Sequence, residues 1–140
     1  MGFVEASKSY LVNWLNFKTR ASRSEFWWGY LFSIIFGLAL GFTWGLILGI
    51  GVVATGVVEE GSTAVTLLSL PPSLFVMIAG LTLSVRRLHD IDRSGWWTLI
   101  PLTIIGIFVL IYWFCKRGDE GENRFGADPL GSEPSESAVG

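Results

Sequence analysis

The chain has 140 residues, of which 51% are hydrophobic, 14% aromatic and only 16% charged, and its mean hydropathy is +0.52. A soluble domain with this composition would have too little polar surface to cover itself, which excludes a soluble globular protein and indicates a small integral membrane protein. The net charge is −2, but six of the twelve acidic residues lie in the last 22 positions. The rest of the chain is therefore net basic.

The first 18 residues predict a short amphipathic helix. Tyr10, Leu11, Trp14 and Leu15 recur at roughly helical spacing, with polar side chains between them. Such a helix either lies in the lipid headgroup region or packs on the other helices, and the sequence leaves both open. The segment is not expected to be a cleavable signal peptide, because the first long apolar run begins too late and is too long.

The next feature is the start of a long apolar run. Ser22 followed by Glu25 is the pattern of a capping box, in which the two side chains satisfy backbone donors at a helix start. From Phe26 to Val58 there are 33 uncharged residues. This exceeds the ~20 needed for one crossing and falls short of the ~40 needed for two, which predicts one long helix.

Small residues recur every fourth position along this helix. Because lipid provides no hydrophobic force between helices, a small-residue stripe that permits close backbone approach is typical of a helix contact. We favour another helix of this chain as the partner over a second copy. The stripe consists of Gly29, Ser33, Gly37, Gly41, Gly45 and Gly49, and the helix-packing residues are predicted to be Gly37, Gly41, Gly45 and Gly49.

A second uncharged run, of 25 residues, extends from Gly61 to Val85 after an acidic turn at Glu59 and Glu60. It contains Pro71-Pro72, and proline inside a helix removes backbone hydrogen bonds. Two interpretations follow: a loop up to Leu70 with a shorter span starting at Pro71, or a broken span. The first is favoured, since proline is tolerated in the first helical turn.

The third uncharged run covers the 22 residues from Ser94 to Cys115. Trp97 and Trp113 lie 16 positions apart, or about 24 Å of helix. Aromatic residues at both ends fit a full crossing. Pro101 and Gly106 also permit a kink or a re-entrant hairpin.

Together these runs predict an all-α membrane protein with about three transmembrane helices and a short N-terminal amphipathic helix. Residues 1–130 would form one membrane-embedded domain and residues 131–140 a disordered tail. With three spans, seven Lys and Arg lie on the side of the N-terminus and central loop and three on the side of the tail. The positive-inside rule then places the N-terminus in the cytoplasm and the tail outside.

The charged stretch SVRRLHDIDRSGWW, residues 84–97, is the candidate site. One interpretation is a helix end whose charges pair, for example Arg86 with Asp90 or with His89, and which sets the topology. The other is a site for an anionic ligand or lipid headgroup, where arginine forks bind a phosphate. The residues of this site are Arg20, Arg23, Arg86, Arg87, His89, Asp90 and Arg93.

Other chemistries fit the sequence less well. A metal site from His89, Asp90 and Asp92 would pair the only histidine with carboxylates alone. A membrane-embedded enzyme acting on a lipid or another anionic substrate, with His89 and Asp90 as acid–base pair, is the alternative function. Transport is disfavoured, because none of the apolar runs contains Asp, Glu, Lys, Arg or His, and an ion path would normally include one.

The partners expected are membrane lipids, above all anionic phospholipid, and a second copy of the chain or another membrane protein. No cofactor and no nucleic acid are expected.

Three motifs carry a family resemblance. FKTRASRSEFWW, SVRRLHDIDRSGWW and NRFGADP occur in this order, and together they cover about residues 8–130. In this order and spacing they resemble the YhaH-type family of small bacterial inner-membrane proteins, which is known as a domain of unknown function. Thr19 stands where this family would have glycine. The resemblance implies an inner-membrane location and a multi-pass helical architecture, and it implies no activity.

Overall fold

The computed structural model describes residues 1–56 and 63–131. The predicted acidic turn at Glu59 and Glu60, and residues 132–140 of the predicted tail, lie outside the described residues. Within the described ranges the chain is all helical, apart from one isolated bridge between Asn123 and Gly126. The helices are α1 (Phe3–Val12), α2 (Arg23–Thr55), α3 (Thr63–His89), a 3-10 helix (Gly95–Leu102) and α4 (Ile104–Cys115).

Helix α2 is the single long helix that the first apolar run predicts. Ser22 is its N-cap and accepts a hydrogen bond from the backbone N–H of Glu25 at 3.3 Å. The helix ends at Gly56, whose φ of 60° is in the left-handed region that glycine adopts readily. Its 33 residues correspond to about 50 Å, which is longer than the ~30 Å hydrocarbon core and allows a tilted crossing.

Helix α3 runs through the proline pair, so the prediction of a loop up to Leu70 is wrong. Pro72 has no N–H to donate to the carbonyl of Leu68, four residues earlier. The indole Nε1 of Trp44 on α2 donates to that carbonyl instead, at 3.0 Å. A neighbouring helix thus supplies the donor that proline removes, which is how proline is tolerated inside membrane helices.

The third apolar run turns back on itself. Its 3-10 helix ends at Leu102, and α4 starts two residues later with Thr103 as N-cap. The rings of Trp97 and Trp113 are 5.3 Å apart, so they do not mark opposite membrane surfaces. Pro101 lies in the last turn of the first arm, and a side chain at Gly106 would overlap the carbonyl oxygen of Ile100.

A third crossing is therefore not confirmed. Helix α4 has 12 residues, about 18 Å, which is too short for the hydrocarbon core. Among the described residues, two helices, α2 and α3, are long and apolar enough to cross a membrane. The 3-10 helix and α4 form a hairpin over residues 95–115.

Helix α1 is shorter than the predicted segment of residues 1–18, and it packs on α2. Ala6 and Tyr10 are buried, and the ring of Tyr10 meets that of Phe32 edge to face at 5.6 Å. The buried cluster lies at the end of the molecule where α1, the start of α2, the end of α3 and the end of α4 meet. Its members are Tyr10, Ala21, Phe26, Ala79, Leu83, Leu88, Ile91 and Phe114. This core positions the charged motifs.

Candidate functional site

Arg20, in the link between α1 and α2, is buried and joins three parts of the chain. Its Nη2 lies 3.1 Å from the Oδ1 of Asp90, just after α3. The same guanidinium donates to the backbone carbonyls of Asp119, Gly121 and Gly126. One side chain thus holds the N-terminal link, the central loop and the segment after α4 together.

Arg87 contacts Asp90 from within α3 and is fully buried, with 0% of the residue exposed. Its other donors bond to the carbonyls of Phe114, at 3.2 Å, and Lys116. Burial raises the pKa of the Asp90 carboxyl, and the guanidinium groups of Arg87 and Arg20 oppose that shift. We call Arg20, Arg87 and Asp90 the arginine clamp.

Arg86 forms a second buried ion pair, with Glu25 at 2.7 Å. Glu25 also accepts a hydrogen bond from the hydroxyl of Ser9 at 2.6 Å. The predicted capping box is therefore only half formed. Ser22 caps α2, but the Glu25 carboxylate forms an ion pair with Arg86 instead of bonding to the backbone of Ser22. The predicted pairing of Arg86 with Asp90 is wrong. Asp90 lies beyond the end of α3, where its carboxylate turns to Arg20 and Arg87.

His89 is buried and stacks on Phe125, with ring centroids 3.8 Å apart and planes 4° from parallel. Within the described ranges, its Nδ1 is the one buried side-chain nitrogen or oxygen that lacks a hydrogen-bond partner. The side chain of Asn123 donates to the backbone carbonyl of His89 at 2.9 Å. The NRFGADP motif is thus an ordered turn docked on the end of α3. His89 faces Phe125 while Asp90 faces two arginines, a geometry that does not favour the acid–base pair.

Arg23 and Arg93 are exposed and stay outside the clamp. The guanidinium carbon of Arg93 lies 5.1 Å from the ring centroid of Trp113, a cation–π distance. Of the seven predicted site residues, the structure gathers five in buried contacts and leaves these two on the surface. The buried five are Arg20, Arg86, Arg87, His89 and Asp90.

The glycine stripe divides into two parts. A side chain at Gly37 would be in contact with Val76 of α3 at 3.5 Å. At Gly41, Gly45 and Gly49 no described residue lies within 4 Å of an added Cβ. Gly41 and Gly45 border an open groove of about 490 Å³ between α2 and α3.

Some site residues have no signal in the sequence. A side chain at Gly118 would overlap the Asp90 carboxylate, so glycine here lets the segment after α4 approach the clamp. Arg20 and Arg87 donate hydrogen bonds to backbone carbonyls. Any residue type has such a carbonyl, so no sequence motif marks these acceptors. Across residues 1–56 and 63–131, no group of three or more His, Cys, Asp or Glu side chains could hold a metal ion.

Residues 14–127 match the family described as "Protein of unknown function (DUF805)". The chain belongs to this family. The DUF805 match spans the first two motifs, which contain the arginine clamp, and the third motif as far as Ala127. The resemblance carried by those motifs is thereby confirmed.

Two relatives from Escherichia coli strain K12 support the assignment. Inner membrane protein YhaH is 36% identical over 120 residues, which cover 85% of this chain and 91% of the relative. Inner membrane protein YhaI is 37% identical over 122 residues, covering 86% of this chain and 92% of the relative. No solved structure matches this chain. The chain is thus similar to inner membrane proteins over 85% and 86% of its length.

Proposed function

We propose that this DUF805 protein is a structural or interaction protein of the bacterial inner membrane. In this proposal α2 and α3 cross the bilayer, and the N-terminus, the central loop and the segment after α4 all lie in the cytoplasm. Exposed basic residues on that face bind anionic phospholipid.

The arginine clamp is the observation that carries the proposal. Arg20, Asp90 and Gly121 belong to three segments that the apolar runs separate, and Arg20 contacts both of the others directly. These segments contain all ten Lys and Arg of the chain. In the sequence between α2 and α3 the only charged residues are Glu59 and Glu60, and there is no Lys or Arg. Such a one-sided distribution of positive charge supports a cytoplasmic position for the clamp.

The buried and exposed arginines have different roles in this proposal. The guanidiniums of Arg20, Arg86 and Arg87 are engaged by carboxylates and carbonyls of the chain itself, so they stabilise the fold. The basic residues left for lipid are Lys8, Lys18, Arg23, Arg93 and Lys116, which are all exposed. Each cation near an anionic membrane surface contributes about 1 kcal/mol to binding. The headgroup site is thus proposed at the surface around the clamp.

The test compares thermal stability in detergent with added phosphatidylglycerol or phosphatidylcholine. The wild type should gain melting temperature from phosphatidylglycerol only. The triple variant Lys18→Gln, Arg23→Gln and Arg93→Gln should lose most of that gain while keeping its stability without lipid. A matched control is Arg117→Gln with Arg124→Gln, because these exposed arginines are already paired with Glu120 and Asp92. An equal gain in the wild type and the triple variant would reject the proposal.

A further inference from the structure

A groove of about 440 Å³ lies between the end of α3 and the 3-10 helix. This volume is within the range of roughly 300–1,000 Å³ that small-molecule sites occupy. The walls are formed by Phe17, Leu81, Val85, His89, Ser94, Gly95, Trp96, Thr98 and Leu99.

The groove is apolar at one end and polar at the other. Leu81, Val85 and His89 are four residues apart on α3 and line one wall; they span about 12 Å along the helix. On the opposite wall, a side chain at Gly95 would overlap that of Val85. The backbone N–H of Arg93 donates to the carbonyl of Leu88 at 2.9 Å, which places the neighbouring Ser94 close to the polar end. The exposed cations Lys18 and Arg93 are next in sequence to lining residues.

Two side chains at the polar end, those of Ser94 and His89, lack an expected hydrogen bond within the described part of the chain. Ser94 is the N-cap of the 3-10 helix, but its side chain forms no capping hydrogen bond. The first backbone N–H groups of a helix have no partner within that helix, and they attract anions. His89, which is 6% exposed, has an Nδ1 without a partner among the described residues. It can accept a hydrogen bond from a donor in the ligand.

We propose that this groove binds one anionic phospholipid molecule. An acyl chain lies between Leu81 and Leu99, and the phosphate meets the start of the 3-10 helix beside Ser94. A headgroup hydroxyl donates to His89. The inference rests on the proposed function, since it assumes that this end of α3 faces anionic lipid, and it adds a defined site to a binding surface.

The experiment is native mass spectrometry of the full chain, purified in detergent and titrated with phosphatidylglycerol. The wild type should retain one lipid per chain at salt concentrations that remove surface-bound lipid. Leu81→Trp fills the apolar end and should reduce the retained fraction at least tenfold. Leu38→Trp is its matched control, because Leu38 is exposed on α2 outside the groove. The control should bind as the wild type does.

The polar end is tested by Ser94→Asp against Ser94→Asn. Either side chain can cap the helix, but only the carboxylate repels a phosphate, so only the aspartate variant should lose the retained lipid. Retention unchanged in both Leu81→Trp and Ser94→Asp would overturn the groove site. The phosphatidylglycerol-dependent gain in melting temperature is a separate readout. The groove variants should keep most of this gain. If the wild type shows no such gain, the surface proposal fails instead.

Discussion

Arg20 and Asp90 are 70 residues apart in the sequence, and their side chains form a buried ion pair with an N–O distance of 3.1 Å. Arg20→Gln leaves the Asp90 carboxylate with one of its two cations and breaks the contacts to the segment after α4. Removing one partner of a buried ion pair typically costs 3–5 kcal/mol, so we expect a loss of about 3 kcal/mol in the free energy of unfolding.

Arg23→Gln is the control for this variant, because Arg23 is a nearby exposed arginine outside the clamp. It should change the free energy of unfolding by less than about 0.5 kcal/mol. Denaturation of both variants in detergent measures the difference. Similar stabilities for the two variants would mean that the clamp does not hold the fold together.

The second prediction concerns the hydrogen bond from Trp44 to the carbonyl of Leu68. Trp44→Phe should lower the free energy of unfolding by about 1 kcal/mol, the usual net value of a hydrogen bond. In the Pro72→Ala background the backbone N–H at position 72 can donate to Leu68, so the same substitution should cost less. A double-mutant cycle in detergent measures this coupling. Equal losses in both backgrounds would show that Trp44 does not compensate for the proline.

The third prediction concerns the open part of the glycine stripe. Because no described residue lies within 4 Å of a Cβ added at Gly41 or Gly45, we propose that they contact another helix, with a second copy as the simplest partner. Gly41→Leu or Gly45→Leu should then reduce self-association more than Leu40→Ala or Leu46→Ala. Cross-linking in membranes measures the oligomer. If the glycine variants associate as the wild type does, the stripe is not a contact.

The fourth prediction is a pH dependence in the turn after α4. The Asp128 carboxylate accepts hydrogen bonds from the backbone N–H groups of Leu130 and Gly121, which hold its pKa below the ordinary value of 3.8. A carboxyl with a lowered pKa stabilises the folded turn above the ordinary value, and this contribution is lost as the pH falls through the lowered value.

Carbon-13 NMR of the Asp128 carboxyl should therefore give a titration midpoint below 3.8. The amide signals of Gly121 and Leu130 should move with the same midpoint. A midpoint at or above 3.8 would show that these hydrogen bonds do not favour the charged form.

Part of this architecture is readable in the sequence. The 33 uncharged residues starting at Phe26 and the N-cap Ser22 predict α2 correctly, because burial in lipid demands an apolar helix and helix starts need a capping oxygen. The three motifs predict the family, and five of the seven predicted site residues meet in the fold. Local pattern and local chemistry are sufficient for these features.

Other features depend on contacts that no local pattern encodes. Pro71 and Pro72 suggested a helix start, and only Trp44, 24 residues before Leu68, explains why the helix continues. Trp97 and Trp113 have the spacing of two aromatic belts, yet they touch. Apart from the Asp90 carboxylate, the acceptors of the clamp arginines are backbone carbonyls, which carry no residue signature.

The side of the membrane on which the segment after α4 lies tests the account most directly. With Cys115→Ser as background, single cysteines at Ser62 and at the exposed Glu122 are treated with a membrane-impermeant thiol reagent in intact spheroplasts. The clamp places residue 122 on the same side as the N-terminus, and we propose that this side is cytoplasmic. The cysteine at Ser62 should therefore be labelled and the one at Glu122 protected until the cells are lysed. Labelling at position 122 before lysis would contradict the two-crossing arrangement and favour a third span.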